Sequence, residues 1–122
     1  MYKVKIISFF SAAHYLRAYK GKCENLHGHN WRVEVVVSSE KLNKIGMVID
    51  FSKLKKMTNN ILSQLDHKPL NKIDFFKKNN PSSEEIARYI FLKLKQTHLP
   101  KNCYIEEVRI WETDTSCAIY KE

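Results

Sequence analysis

"CENLHGHNWRVEVVVS", residues 23–38, carries the chain's densest set of reactive side chains and runs straight into its clearest alternating pattern. From Asn30 onward, Trp31, Val33, Val35 and Val37 alternate with Arg32, Glu34 and Val36, the period-two signature of a strand with one buried face. A strand over Asn30–Ser38 is therefore expected, with a thiol and two histidines packed at its mouth.

Working outward, Tyr2–Phe10 reads as a preceding strand, and the polar segment between the two holds Gly21 and Gly28. After "GMVIDF" the period changes to helical. Asp50 is a suitable N-cap, and Phe51, Leu54, Met57, Ile61 and Leu65 follow as one stripe that ends before Pro69. A second helix opens at "NPSSEEIA", capped by Ser82 or Ser83. Glu84 and Glu85 suit its positive end, and Ile86, Tyr89, Ile90 and Leu94 form its buried stripe, which stops before Pro100. "YIEEVRIWET" and "SCAIYKE" return to β character around a tight "DTS" turn, as in a hairpin.

The order ββααββ predicts an α+β domain over residues 1–122: a four-stranded antiparallel sheet with two helices on one face. The other face and both edges are left uncovered. Exposed edges invite pairing, so a homo-oligomer in which the sheet continues across subunits is expected.

With 122 residues and 43% hydrophobic content, the chain suits one core rather than two. The 21 basic against 13 acidic residues give a formal charge of +8, which favours anionic partners. The basic residues are scattered, as on a solvated face. "MYKVKIISFFSAAH" imitates a secretory signal poorly, because Ser8 interrupts a short apolar run. No stretch approaches the roughly 20 apolar residues of a membrane span, so no membrane partner is expected. Cys23, Cys103 and Cys117 make an odd count without scaffold spacing, which suits reduced thiols and a cytoplasmic setting.

His27 and His29 stand two apart, so in extended chain both imidazoles reach one side, with Gly28 letting the backbone bend between them. His14, at the end of the first strand, can bring a third. Three histidines without a carboxylate suit Zn2+ and leave a fourth position open. Two readings of Cys23 stand: a fourth zinc ligand closing a structural site, or a base or nucleophile held near the dication and near Lys20 and Lys22. Asp66 and His67 are expected at the C-terminal end of the first helix, where the dipole favours a protonated imidazole; they are otherwise a capping Asp and a surface His. Glu112, beside Trp111, is either solvated or a bidentate acceptor for a planar N–H and amino edge. His98 reads as surface.

In order, "SAAH", "CENLHGHN", "GMVIDFSKLK", "LDHKPLN", "NPSSEEIA" and "WET" resemble the 6-pyruvoyltetrahydropterin synthase family nearly end to end. The three residues between Cys23 and His27 resemble most closely its branch of 6-carboxy-5,6,7,8-tetrahydropterin synthases of queuosine biosynthesis. Ser82 departs from the family's usual threonine but keeps the hydroxyl.

The resemblance implies a T-fold that assembles into an oligomeric barrel, commonly a hexamer, with active sites between subunits. It implies His14, His27 and His29 as zinc ligands, Cys23 as proton acceptor, Asp66 and His67 as a relay supplied by a neighbouring subunit, and Glu112 as the pterin anchor. Ser82 and Ser83 fall in the substrate-facing "NPSSEEIA" segment. The implied substrate is 7,8-dihydroneopterin triphosphate, converted to 6-carboxytetrahydropterin, acetaldehyde and triphosphate. The nearest alternative product is 6-pyruvoyltetrahydropterin. An alternative of another class, a zinc-stabilised basic module binding RNA or protein, lacks the aromatics interleaved on a basic strand that single-strand binders use, so no nucleic-acid partner is expected.

Overall fold

The computed structural model describes all residues, Met1–Glu122. Strands β1 (Tyr2–His14) and β2 (His27–Ser39) are followed by helix α1 (Phe51–Leu62) and a 3-10 turn at Leu70–Lys72. Helices α2 (Asp74–Lys78) and α3 (Ser83–Lys95) come next, then strands β3 (Cys103–Thr113) and β4 (Ser116–Tyr120). The sheet is antiparallel throughout, in the order β1-β2-β3-β4. The helices lie against one face, in the expected ββααββ order. One five-residue helix, α2, is added between the two anticipated ones.

Alternation in the strands decides which face is dry. Ile6, Phe10 and Ala12 of β1 and Trp31, Val33, Val35 and Val37 of β2 are buried against Leu54, Ile61 and Leu62 of α1 and Ile86, Ile90 and Leu94 of α3. On β3 the inward residues are Ile105, Val108 and Ile110, a spacing that strict alternation forbids. The register supplies the reason. Val36 faces Glu107 while Val37 faces Ile105, so Glu106 is an extra, bulged residue that resets the inward phase.

Both helices carry the expected caps. The Asp50 carboxylate accepts from Ser52 N and Lys53 N, and the Ser82 hydroxyl accepts from Glu85 N. The α1 stripe differs at its ends. Phe51, in the first turn, is exposed, and Leu65 is fully buried although the helix has already stopped at Leu62.

Both first strands are longer than the alternation indicated. They pair without interruption from Tyr2↔Ser39 to His14↔His27. "SAAH" and "HGHN" are thus ladder residues, and all three histidines sit at one end of a hydrogen-bonded strand pair. The face away from the helices exposes Ile7, Phe9 and Ile119. It also buries one carboxylate, Glu34, which accepts from Trp111 Nε1 at 2.9 Å, Lys5 Nζ at 3.1 Å and Arg32 Nη2 at 3.3 Å. Burial alone would raise its pKa, but these donors outweigh it and hold the carboxyl below the ordinary glutamate range.

Candidate metal centre and the groups around it

At the shared end of β1 and β2, the rings of His14, His27 and His29 lie with centroids 4.7 to 5.2 Å apart, each pair edge to face. The indole of Trp31, completely buried, forms their floor. Its centroid is 5.0 Å from that of His14 and 5.1 Å from that of His29, and its Nε1 donates to Ala12 O at 3.2 Å.

Two imidazoles are oriented by carbonyls. His14 Nδ1 lies 2.7 Å from Pro81 O, and His27 Nδ1 lies 2.8 Å from Asn25 O. A carbonyl can only accept, so each Nδ1 carries a proton, and in the neutral ring Nε2 is then the atom with the lone pair. His14 Nε2 and His29 Nε2 are buried without a hydrogen-bond partner. Burial, with the neighbouring His14 and His27, lowers the pKa of His29 against the opposing pull of Glu112, so its neutral form is favoured.

Glu112 also reaches this cluster, a proximity that the sequence did not indicate. Its Oε1 stands 3.3 Å from both His14 Nε2 and His29 Nε2, and the four donor atoms all lie within 4.8 Å of one another. A tetrahedral zinc with bonds of about 2.0–2.1 Å has ligand-to-ligand edges of about 3.3–3.4 Å. The unpartnered Nε2 atoms of His14 and His29, and donor atoms that gather this closely, are compatible with such an ion. The sequence expectation named the three histidines as ligands and Glu112 as a separate anchor, and the structure brings Glu112 to the edge of the same group. The signal the sequence lacked is the irregularity between Trp111 and Thr113, where the register with β4 shifts around Glu112.

Cys23 is exposed and stands outside the donor cluster. Asp66 and His67 are not at the end of α1 as expected. The helix closes at Leu62, and His67 lies in a following turn with φ +58°. The pair therefore lies beyond the reach of the α1 dipole, which falls off within the last turn. What fixes the pair instead is the outer edge of β1, where Ser11 N donates to Asp66 Oδ1 at 2.9 Å and Ser11 O accepts from His67 N. The Ser11 bond and then the His67 contact depress the Asp66 pKa, and Asp66 Oδ2 sits 3.0 Å from His67 Nδ1. The imidazole is largely exposed. It lines a recess of about 540 Å³ together with His29, Gly28, Leu26 and Pro69.

Gly28 has no left-handed φ, and a Cβ there would meet only Ala12 O at 3.9 Å, so the ladder and not the glycine sets the spacing of the histidines. Ser82 is engaged as the cap of α3 and Ser83 opens that helix, directly after the Pro81 carbonyl that holds His14. A larger recess, about 680 Å³, lies at the far end of the sheet between α3 and β3–β4, lined by Phe91, Lys95, His98 and Tyr104. It holds no donor cluster, so convergence of ligands and not size marks the site.

The family model described as 6-pyruvoyl tetrahydropterin synthase matches residues 3–122. A 6-carboxy-5,6,7,8-tetrahydropterin synthase of Synechocystis sp. is 41% identical over 91% of this chain and 86% of its own length. A dihydroneopterin monophosphate aldolase of Pyrococcus furiosus is 38% identical over 90% of each chain. The structure of Caenorhabditis elegans 6-pyruvoyl tetrahydropterin synthase superposes with a TM-score of 0.87 at 36% identity, covering 99% of this chain and 95% of that one. With the match running over nearly every residue, the chain belongs to the 6-pyruvoyl tetrahydropterin synthase family.

Proposed function

We propose that the chain is a zinc-dependent lyase, a 6-carboxy-5,6,7,8-tetrahydropterin synthase. It converts 7,8-dihydroneopterin triphosphate and water to 6-carboxytetrahydropterin, acetaldehyde and triphosphate, as a cytoplasmic step toward queuosine or a related deazapurine. The observation that carries this reading is the convergence of three imidazoles and Glu112 on one point, with the Cys23 thiol nearby in sequence but outside the ligand set. That division separates a catalytic centre with an open position from a closed structural one. It also speaks against a zinc-stapled binding module with Cys23 as a fourth ligand.

His14, His27 and His29 would hold the ion, with Pro81 O and Asn25 O orienting the first two rings through Nδ1. Zinc held there would supply positive charge that makes substrate hydroxyls more acidic. Cys23 takes up the proton from the side chain of the substrate. Asp66, by holding His67 Nδ1, leaves His67 Nε2 to exchange that proton with solvent or with the leaving fragment. Glu112 takes the N–H and amino edge of the pterin in two parallel hydrogen bonds, which places the side chain of the ring beside the three nitrogens. Ser82 and Ser83, at the start of α3, contact the substrate from the Pro81 side. Of the loop cations, Lys20 and Lys22 are free to meet the triphosphate. Arg17 is engaged, donating to Phe76 O at 2.7 Å.

A homo-oligomer, a hexamer by family, suits the face that leaves Ile7, Phe9 and Ile119 exposed, and it places the exposed His67 against a neighbour's thiol. The similarity to the C. elegans protein favours, as a second reading, the same machinery ending at 6-pyruvoyltetrahydropterin. Mass spectrometry of the products from 7,8-dihydroneopterin triphosphate, with and without a chelator, separates the two. Acetaldehyde plus carboxypterin, abolished by the chelator, is the expected result; a retained three-carbon side chain establishes the second reading.

A further inference from the structure

We propose that Glu24 is the positioning residue for Cys23, fixing the thiol relative to the metal ligands through Leu16; this rests on the role given above to Cys23. The pairing of β1 with β2 ends at His14↔His27, so Tyr15, Leu16 and Arg17 have no strand beside them. Their backbone groups are nevertheless all hydrogen-bonded, chiefly by side chains. Asn71 Oδ1 accepts from Tyr15 N at 3.0 Å and its Nδ2 donates to Tyr15 O at 2.9 Å. Asn80 does the same for Arg17, at 2.8 and 2.9 Å. Between them, Glu24 Oε1 accepts from Leu16 N at 2.9 Å while Glu24 N donates to Leu16 O at 2.9 Å.

The two sides of this makeshift ladder lead to different places. Asn71 and Asn80 come from the chain between α1 and α3, and Asn80 is followed by Pro81, whose carbonyl orients His14. Glu24 comes from the loop that carries Cys23. That loop is exposed from Ala18 to Cys23 and contains two non-glycine residues in the left-handed region, Ala18 at φ 59° and Lys20 at φ 51°. Its hydrogen bonds to the rest of the protein are those of Glu24 to Leu16 and of Asn25 O to His27 Nδ1. Cys23 is therefore referenced to metal ligands on both sides: to His14, two residues before Leu16, and to His27.

The bond to Leu16 N needs an acceptor oxygen at that reach, not a charge, so glutamine can replace Glu24 and alanine cannot. Misplacing a reacting group by about 1 Å costs about 100-fold in rate. In zinc-loaded protein, Glu24→Ala should lower kcat by about 10- to 100-fold with a smaller change in KM, retain one zinc per chain, and be rescued to within about threefold by Glu24→Gln.

Alkylation of Cys23, referenced to the exposed Cys117 in the same molecule, needs no turnover. The rate ratio should change in Glu24→Ala and stay at the wild-type value in Glu24→Gln. Unchanged kcat or alkylation ratio in Glu24→Ala, a glutamine variant as impaired as alanine, or loss of zinc in Glu24→Ala each overturns the assignment. Full turnover by Cys23→Ala overturns instead the role of the thiol, whatever Glu24 does.

Discussion

Trp31 links the core to the histidine cluster closely enough for one substitution to be read in both. Its indole is fully buried, stacks on Phe10 at 6.0 Å and 9°, and supports His14 and His29 at 5.0 and 5.1 Å. Replacing it with alanine leaves a core cavity worth about 3–5 kcal/mol, a large part of the roughly 5–15 kcal/mol available to such a domain. Phenylalanine is the informative change. It keeps one ring against Phe10 but removes the donor to Ala12 O and part of the wall behind both imidazoles. The lost hydrogen bond contributes about 1 kcal/mol and the partial void about as much again, so Trp31→Phe should cost roughly 2 kcal/mol in urea unfolding of the metal-free protein. Because groups that orient metal ligands are worth about 10- to 100-fold in affinity, zinc binding measured by chelator competition should weaken by about tenfold or more. A variant destabilised by about 2 kcal/mol that binds zinc within about threefold of wild type would show that the indole shapes the core but not the ligands.

Glu34→Ala should destabilise by about 2–3 kcal/mol in urea unfolding, mainly through the orphaned Trp111 Nε1, because Lys5 and Arg32 are 43% and 41% exposed and regain water. Glu34→Gln, which keeps an acceptor for the indole, should cost less, and equal losses would place the effect in charge alone. Since folding depresses the pKa of Glu34, its contribution is complete above the unfolded value of 4.5 and fades as pH falls through the lower folded value. Wild type should therefore lose more stability than Glu34→Gln between about pH 5 and about pH 3, as followed by thermal melts; parallel losses would contradict this. Ser82→Ala should cost about 1 kcal/mol through the cap of α3, and Ser82→Asp should recover it. An alanine variant with unaltered stability would leave Ser82 without a capping role.

The alternation in "WRVEVVVS" and the capped helical stripes were enough to give the sheet and the helical layer, because burial on one face imposes a period on the sequence. The ladder continuing through "SAAH" and "HGHN" was less visible, since small and histidine residues carry no hydrophobic period. The gathering of three imidazoles at one strand end could be anticipated from H-x-H plus a strand-end histidine. Glu112 was legible as a site residue but its approach to the imidazoles was not, because the irregular register after Trp111 has no signature in "IWET". The same holds for His67, held past the end of α1 by Ser11, and for Arg17, tied to Phe76 O. Contacts from side chain to distant backbone leave no local pattern; Asn71, Glu24 and Asn80 are the extreme case.

Zinc K-edge X-ray absorption on the reconstituted protein, with metal counted per chain, bears most directly on the separation of ligands from thiol. One zinc with three imidazole nitrogens at about 2.0–2.1 Å and no sulfur shell at about 2.3 Å is expected. A sulfur in the coordination sphere that disappears in Cys23→Ala, or fewer than three imidazoles around the ion, would contradict it.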